Sequence, residues 1–267
     1  MTAATLPRLE GRHRVTFLGV LHAEWIKLWS VRSTRWSLLI ALVLTIGLPL
    51  LVSAIIASHW DQHSHSDFNP LDPVLVGPGL AQLPIGVLGV LVITAEYSTG
   101  MIRASLTAVP KRLPVLWAKA LVFAVVTFVL MLPAILIAFF ASQSILSAHV
   151  SYSLGHPGVT RVVFGSMVYL AVTGALCVGL GAIVRNTAGS IVLFAALFFV
   201  VPPLMNVLPQ NWNNAISQYL PANAGTSLMN LTHSAHQLRP WPGFAVYVGY
   251  TLLSLAIAAA VLMRRDA

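Results

Sequence analysis

The chain has 267 residues, of which 57% are hydrophobic and only 8% are charged. Soluble domains carry about 25% charged residues, so this composition excludes a water-soluble globular protein and indicates a chain immersed in lipid. The formal net charge of +8 raises nucleic acid as a partner, but the basic residues follow the gaps between apolar runs and form no stripe. We therefore expect no nucleic acid and name membrane lipid as their partner.

The segment before the first long apolar run predicts an amphipathic helix over residues 17–32. Its apolar residues recur at helical spacing, and they are Leu18, Leu21, Trp25, Leu28 and Trp29. Glu24, Lys27 and Ser30 are expected to face away from them. We expect this helix to lie on the cytoplasmic face of the bilayer, with its tryptophans at the level of the head groups.

Six apolar stretches are long enough to cross a bilayer, which requires about 20 helical residues. Because lipid offers no hydrogen bonds to the backbone, each stretch is expected to be a helix. The predicted spans are about 36–58, 75–95, 115–141, 162–184, 189–208 and 243–263. The prediction is an all-α membrane protein with one transmembrane domain over residues 1–267.

Glycine and proline interrupt two of these spans. Gly77, Pro78, Gly79 and Pro84 predict that the outer end of the second span is unwound or bent, and Pro202–Pro203 predict a kink in the fifth. Such breaks occur at substrate sites of transporters and as ordinary packing kinks, and the pattern leaves both alternatives open. Gly174, Gly179 and Gly181 in the fourth span indicate close helix packing. The polar segment 209–242 predicts short helices at the outer surface.

The basic residues occupy alternate gaps between the spans, which is the pattern that fixes orientation. They lie before the first span, between the second and third, in a short gap at Arg185, and at the C-terminus; only Arg161 and Arg239 fall on the other side. Six spans place both termini on one side. We expect that side to be cytoplasmic.

Several function classes are disfavoured by what the spans lack. Their centres contain no Asp, Glu, Lys or Arg, whereas ion-coupled carriers need ionisable residues within the bilayer. Glu96 and Lys119 lie near span ends, where we expect a head group or a partner to solvate them. The three lysines follow no phosphate-binding glycine pattern, so ATP and its magnesium would be held by another subunit, with no cofactor in this chain.

A loop rich in histidine offers possible metal ligands, namely His59, Asp61, His63, His65 and Asp67. Such residues can bind zinc, copper or nickel, but polar loops of this kind are more often simply solvated, and we expect no metal. Cys177 is expected to be a buried apolar residue. No nucleophile has a buried base beside it, so we expect no enzymatic activity.

The residues around Glu96 resemble a known family. The run Glu96-Tyr-Ser-Thr-Gly-Met-Ile-Arg103, with Pro110-Lys-Arg112 and Ala118-Lys119 after it, resembles the first cytoplasmic loop of bacterial ABC exporter permeases of the type-2 superfamily. Glu24-Trp-Ile-Lys-Leu28 with Arg32-Ser-Thr-Arg35 is similar to the interfacial helix of that family. Tyr219-Leu-Pro-Ala-Asn-Ala-Gly225 is similar to its outer segment before the last span.

The resemblance implies a short cytoplasmic coupling helix that docks on a separate ATPase subunit. On this basis the contact residues would be Glu96, Tyr97, Gly100, Met101, Ile102 and Arg103. It further implies two permease copies, identical or paralogous, two ATPase copies, a hydrophobic or amphipathic cargo such as a drug or antibiotic, and a bacterial plasma membrane. The alternatives are a non-transporting membrane assembly or immunity protein and a membrane-embedded enzyme, with the segment after Glu96 then being a simple surface turn.

Overall fold

The computed structural model describes residues 16–60, 68–101, 113–232 and 237–264. Within these ranges the chain is helical and contains no strand, and six helices are long and apolar enough to cross a membrane. The membrane-length helices are α2 (Arg32–Ser58), α3 (Asp72–Ser98), α4 (Leu113–Leu146), α5 (Val159–Val184), α6 (Thr187–Val207) and α9 (Pro240–Arg264). The shorter helices are α1 (Phe17–Ser30), α7 (Gln210–Ile216) and α8 (Pro221–Thr226). The predicted all-α fold with six spans is confirmed.

The N-terminal helix is shorter than predicted, because α1 ends at Ser30 and α2 begins at Arg32. A single extended residue, Val31, separates them, with φ −87° and ψ 124°. At its other end α1 starts after Thr16, whose hydroxyl accepts a hydrogen bond from the Gly19 N–H at 3.2 Å. This is the usual way of satisfying an unpaired amide at a helix start.

The prolines of α3 and α6 have different effects. α3 is a continuous helix through Pro78 and Pro84, so the alternative of an unwound end is wrong. In α6, residues Ala196–Val200 form a π-helical turn directly before Pro202. Proline supplies no N–H to the preceding turn, and a widened turn is one way in which a helix absorbs that loss. The fifth span therefore has an irregular turn beside the prolines at which a kink was predicted.

The centre of the bundle is α5, the most buried span: 78% of its most apolar stretch is buried inside the protein. Its glycines allow its neighbours to approach closely. A Cβ atom added to Gly89 of α3 would lie 2.7 Å from the carbonyl oxygen of Gly174 in α5, and one on Gly181 would lie 2.7 Å from Ile93. The predicted close packing of α5 is confirmed. By contrast, only 17% of the most apolar stretch of α6 is buried.

The bundle has two ends, named here for the short helix found at each. At the α1 end, the junction of α5 and α6 meets the ends of α3 and α9: Thr187 donates to the Thr94 hydroxyl at 2.9 Å, and Arg185 donates to the Val261 carbonyl at 3.2 Å. At the α8 end, Arg161 donates to the Leu228 carbonyl at 3.2 Å. The predicted short helices of segment 209–242 are present, but Ala224 and Leu228 are buried, so part of the segment packs into the bundle.

Candidate functional site

Four charged side chains from three helices meet at the α1 end. Lys119 of α4 places its Nζ 2.5 Å from Oε2 of Glu24 in α1 and 3.0 Å from Oε1 of Glu96 in α3. Lys27 of α1 lies 2.8 Å from Oε1 of Glu24 and 3.0 Å from Oε1 of Glu96. Two carboxylates and two ammonium groups therefore alternate. We call these four residues the ion cluster.

Most of the ion cluster is removed from solvent. The side chains of Lys119, Glu24 and Glu96 are 2%, 4% and 9% exposed, while that of Lys27 is 33% exposed. Burying a charge is costly unless an opposite charge and hydrogen bonds compensate it. Each charged group here contacts two of opposite sign, so the cluster satisfies that condition without net charge.

The position of Glu24 differs from the sequence prediction. We expected Glu24 to face away from the apolar side of α1, and Glu96 and Lys119 to be solvated by head groups or a partner. Instead these residues face one another inside the protein. Glu24 shares the buried side of α1 with Val20 and Leu28 and meets Lys119 there, whereas the apolar Leu18 and Trp25 are left exposed.

Lys27 keeps its charge in this setting. Burial works to lower the pKa of the Lys27 ammonium, but the carboxylates of Glu24 and Glu96 outweigh it and raise the pKa above its ordinary value of 10.5. At neutral pH Lys27 is therefore a cation. The two anions of the cluster are accordingly shared between two ammonium groups.

Glu96 has an unused hydrogen-bonding position. Its Oε1 accepts from both lysines, whereas its Oε2 is buried and has no hydrogen-bond partner within the described part of the chain. A buried acceptor without a donor is unusual and calls for an explanation. Glu96 therefore turns one carboxylate oxygen towards the two lysines and leaves the other enclosed in the protein.

The next residue, Tyr97, joins the end of α3 to the rest of the bundle. The guanidinium carbon of Arg185 lies 5.1 Å from the centre of the Tyr97 ring, within the range of a cation–π interaction. Arg185 is held at this place by a tight turn, since it has a left-handed φ of 57° and Asn186 then caps α6 through the Gly189 N–H at 2.9 Å. The end of α3 is therefore tied to the α5–α6 junction.

The predicted contact residues separate into two groups. Glu96 is buried and Tyr97 is half-buried, whereas Gly100 and Met101 are exposed, Met101 by 51%. Gly100 has φ +71°, a left-handed conformation that glycine adopts readily, and Met101 is helical. Ile102 and Arg103, with the rest of the predicted coupling helix, lie outside the described residues.

Sequence reasoning did not find the partners of Glu96. One signal was available: Glu24 and Lys27 are spaced three apart, which places them on one helix face. The chain also has only three lysines. Of these, Lys119 lies near the start of one span, and Glu96 lies near the end of the span before it. Of the histidine-rich loop, residues 61–67 lie outside the described residues, and the described ranges contain no group of three metal-ligating side chains.

A second buried polar group lies deeper in the bundle. The Tyr169 hydroxyl donates to Oε1 of Gln82, and the hydroxyl groups of Thr173 and Tyr247 are hydrogen-bonded at 2.7 Å. The rings of Tyr169 and Tyr247 lie 5.6 Å apart. These contacts fix α3, α5 and α9 relative to one another through neutral groups.

The helices and the ion cluster define an all-α, multi-pass membrane protein with a charged joint at one end of its bundle. The model of the family described as ABC-2 family transporter protein matches residues 68–267, and the chain belongs to this family. It is accordingly a permease component of an ABC transporter, and the family implies partnership with an ABC ATPase. A comparison with curated proteins gave no match.

Proposed function

We propose that this chain is the permease subunit of an ATP-driven exporter and that the ion cluster carries motion from the ATPase into the bundle. The observation that supports this is the position of the cluster. Glu96 lies four residues before the exposed Gly100, at the end of the helix that leads into the predicted coupling helix. The ATPase subunit would hold ATP and magnesium.

The connections of the α3 end support this role. Glu96 pairs with α1 and α4 through Lys27 and Lys119, and Tyr97 contacts Arg185 at the α5–α6 junction. A displacement of Gly100 and Met101 by a bound ATPase would therefore act on four helices besides α3. Ion pairs suit this task because their energy varies gradually with distance, so partners can shift and still attract.

The complete transporter would contain two permease copies, identical or paralogous, and two ATPase copies. The weakly buried spans α2 and α6 offer apolar faces that a second copy can cover. A path between two such faces would suit a hydrophobic or amphipathic cargo such as a drug or antibiotic. The positive residues at the α1 end support an orientation with both termini in the cytoplasm of a bacterial cell.

The contact with the ATPase is tested by placing a charge on its exposed surface. Met101→Asp should reduce the amount of co-purified ATPase about tenfold, since a buried unpaired charge at an interface is costly. Val207→Asp is the matched control, because Val207 is 83% exposed at the α8 end. Equal recovery of ATPase with both variants would contradict the proposed contact at Met101.

The orientation is tested by thiol labelling. Cys177 is fully buried, so a cysteine introduced at Met101 or Val207 is the accessible thiol. A membrane-impermeant maleimide added to intact cells should label Val207→Cys and should label Met101→Cys only after permeabilisation. Labelling of Met101→Cys in intact cells would show that the α1 end faces outward.

A further inference from the structure

The start of α2 carries two arginines that have no carboxylate beside them. Within the described ranges the acidic residues are Glu24 and Glu96, which the lysines engage, and Asp72 at the opposite end of α3. Arg32 and Arg35 are exposed, and their side chains form no ion pair or hydrogen bond with the described part of the chain. Two positive charges are therefore available to an anion from outside the bundle.

The two arginines begin a stripe of exposed side chains along one face of α2. At 3.6 residues per turn, the side chains that follow them on this face are Trp36, Leu39 and Val43, which are 65%, 47% and 61% exposed. The charges thus lie on the first turn of the helix, and the apolar side chains lie on the next two turns. We call these five residues the α2 stripe.

The length of α2 places the α2 stripe across the membrane surface. Its 27 residues extend over about 40 Å, whereas the hydrocarbon core is about 30 Å thick. This difference leaves about 5 Å, one helical turn, at each end, so the arginines lie at the level of the head groups. Trp36 follows at the boundary, where tryptophan is enriched. Leu39 and Val43 lie about 10 Å and 16 Å from Arg32 along the axis, among the acyl chains.

Charge complementarity selects the occupant of the α2 stripe. Guanidinium groups bind phosphate oxygens through paired N–H donors, and side chains three residues apart on a helix are neighbours that can reach one phosphate. A second copy of the chain does not match this face, because two-fold pairing of α2 with α2 would place Arg32 and Arg35 against the same charges. Leu51 and Ile55, further along α2, are also exposed and remain for such a contact.

We propose that the α2 stripe binds a membrane phospholipid of net negative charge, with its phosphate on Arg32 and Arg35 and one acyl chain along Leu39 and Val43. This is a defined site rather than a general attraction of basic residues to the membrane, because it requires both arginines and the apolar side chains beside them. The site is independent of the proposed export function, since it lies within one chain and needs no ATPase.

The test compares two lipids that have the same acyl chains and a phosphate but differ in net charge. The purified full-length chain is given equal amounts of phosphatidylglycerol and phosphatidylcholine, and the retained lipid is counted by native mass spectrometry. We expect about a thirtyfold preference for phosphatidylglycerol, the effect of two basic residues at an anionic surface. Glycerol 3-phosphate, which offers a phosphate without acyl chains, should not displace the bound lipid.

Two single variants locate the binding at the start of α2. Arg32→Gln and Arg35→Gln should each lower the preference about fivefold, because each removes one of the two charges and leaves the ion cluster intact. Arg239→Gln is the matched control, since it removes the same charge from an exposed position at the α8 end. This control should retain the full preference.

Several results would overturn the proposal. Equal retention of the two lipids by the wild-type chain is one, and an unchanged preference in either α2 variant is another. An equal loss in Arg239→Gln would show a general effect of net charge, and displacement by glycerol 3-phosphate would show a site for a soluble phosphate. Disulfide cross-linking of two Val43→Cys chains in membranes would show that a second copy covers the α2 stripe, since Cys177 is buried.

Discussion

At the α1 end, three helices are joined by ion pairs, whereas at the α8 end the described helices and loops are joined by hydrogen bonds between side chains and the backbone. Gln143 of α4 shows the second kind: its Nε2 donates to the Pro70 carbonyl at 2.8 Å, and its Oε1 accepts from the Tyr152 N–H at 2.7 Å. Lys119, on the same helix at the α1 end, instead forms ion pairs, with two carboxylates around its ammonium group.

The difference has a physical consequence. Hydrogen bonds weaken steeply with distance and angle, so Gln143 holds its partners in one arrangement. Attraction between charges falls slowly with distance, so the ion cluster tolerates small helix shifts but depends on the presence of every member. If the proposed coupling holds, the α1 end would be the joint that moves and the α8 end the part that stays fixed.

The largest effect is expected from Lys119→Met. This change leaves the buried carboxylates of Glu24 and Glu96 facing each other with only Lys27 between them. We expect the free energy of unfolding to fall by about 3–5 kcal/mol, as for other buried pairs that lose one partner, measured by denaturant titration in micelles. Arg161→Met is the comparison at the α8 end, and an equal loss there would remove the distinction between the two ends.

Removing the charges of Glu24, Glu96 and Lys119 together should lower the stability less than removing the charge of Lys119 alone. In the triple variant Glu24→Gln, Glu96→Gln and Lys119→Met, no buried carboxylate remains unpaired, so most of the stability lost in Lys119→Met should return. The same titration measures this recovery. A triple variant less stable than Lys119→Met would mean that the pairs themselves, rather than the unpaired charges, set the energy.

Gln143→Leu should have a moderate effect at the α8 end. It leaves the Pro70 carbonyl and the Tyr152 N–H without partners and should lower the free energy of unfolding by about 1–3 kcal/mol. Co-purification of the ATPase should stay unchanged, because the α1 end is untouched. Loss of the ATPase in this variant would show that the two ends are coupled.

The smallest effect is a dependence on alkaline pH. Because the folded protein raises the pKa of Lys27 above 10.5, the contribution of Lys27 is complete below that value and is lost as the pH rises through the folded pKa. In Lys27→Arg the cation persists, since arginine titrates above about 12. Wild type should therefore lose stability relative to Lys27→Arg only above about pH 10.5, and a divergence near neutrality would contradict the assignment.

Prediction from the sequence succeeded where the cause is local. The six spans followed from the length of each apolar run, and the irregularity of α6 followed from Pro202 and Pro203, which lack N–H groups. The continuity of α3 through Pro78 and Pro84 was not predictable, because neighbouring helices can stabilise a proline-containing helix in a way that the sequence does not reveal.

The candidate site was found only in part. The run after Glu96 pointed to the end of α3 at which the ion cluster lies. Glu96 is buried there and Tyr97 is half-buried, and only Gly100 and Met101 are exposed among the described residues of the predicted contact. The pairing of Lys119 with Glu24 joins positions 95 residues apart. No spacing rule covers such a contact, because it depends on how separate helices are arranged.

By itself the sequence determined an all-helical protein that crosses the membrane six times, since hydrophobic length and backbone hydrogen bonding act within each segment. The tertiary structure alone decided which side of α1 faces the protein and which charges meet. The rotation of a helix about its own axis is set by its neighbours, and for α1 the buried Lys119 and Glu96 turned the face bearing Glu24 inward.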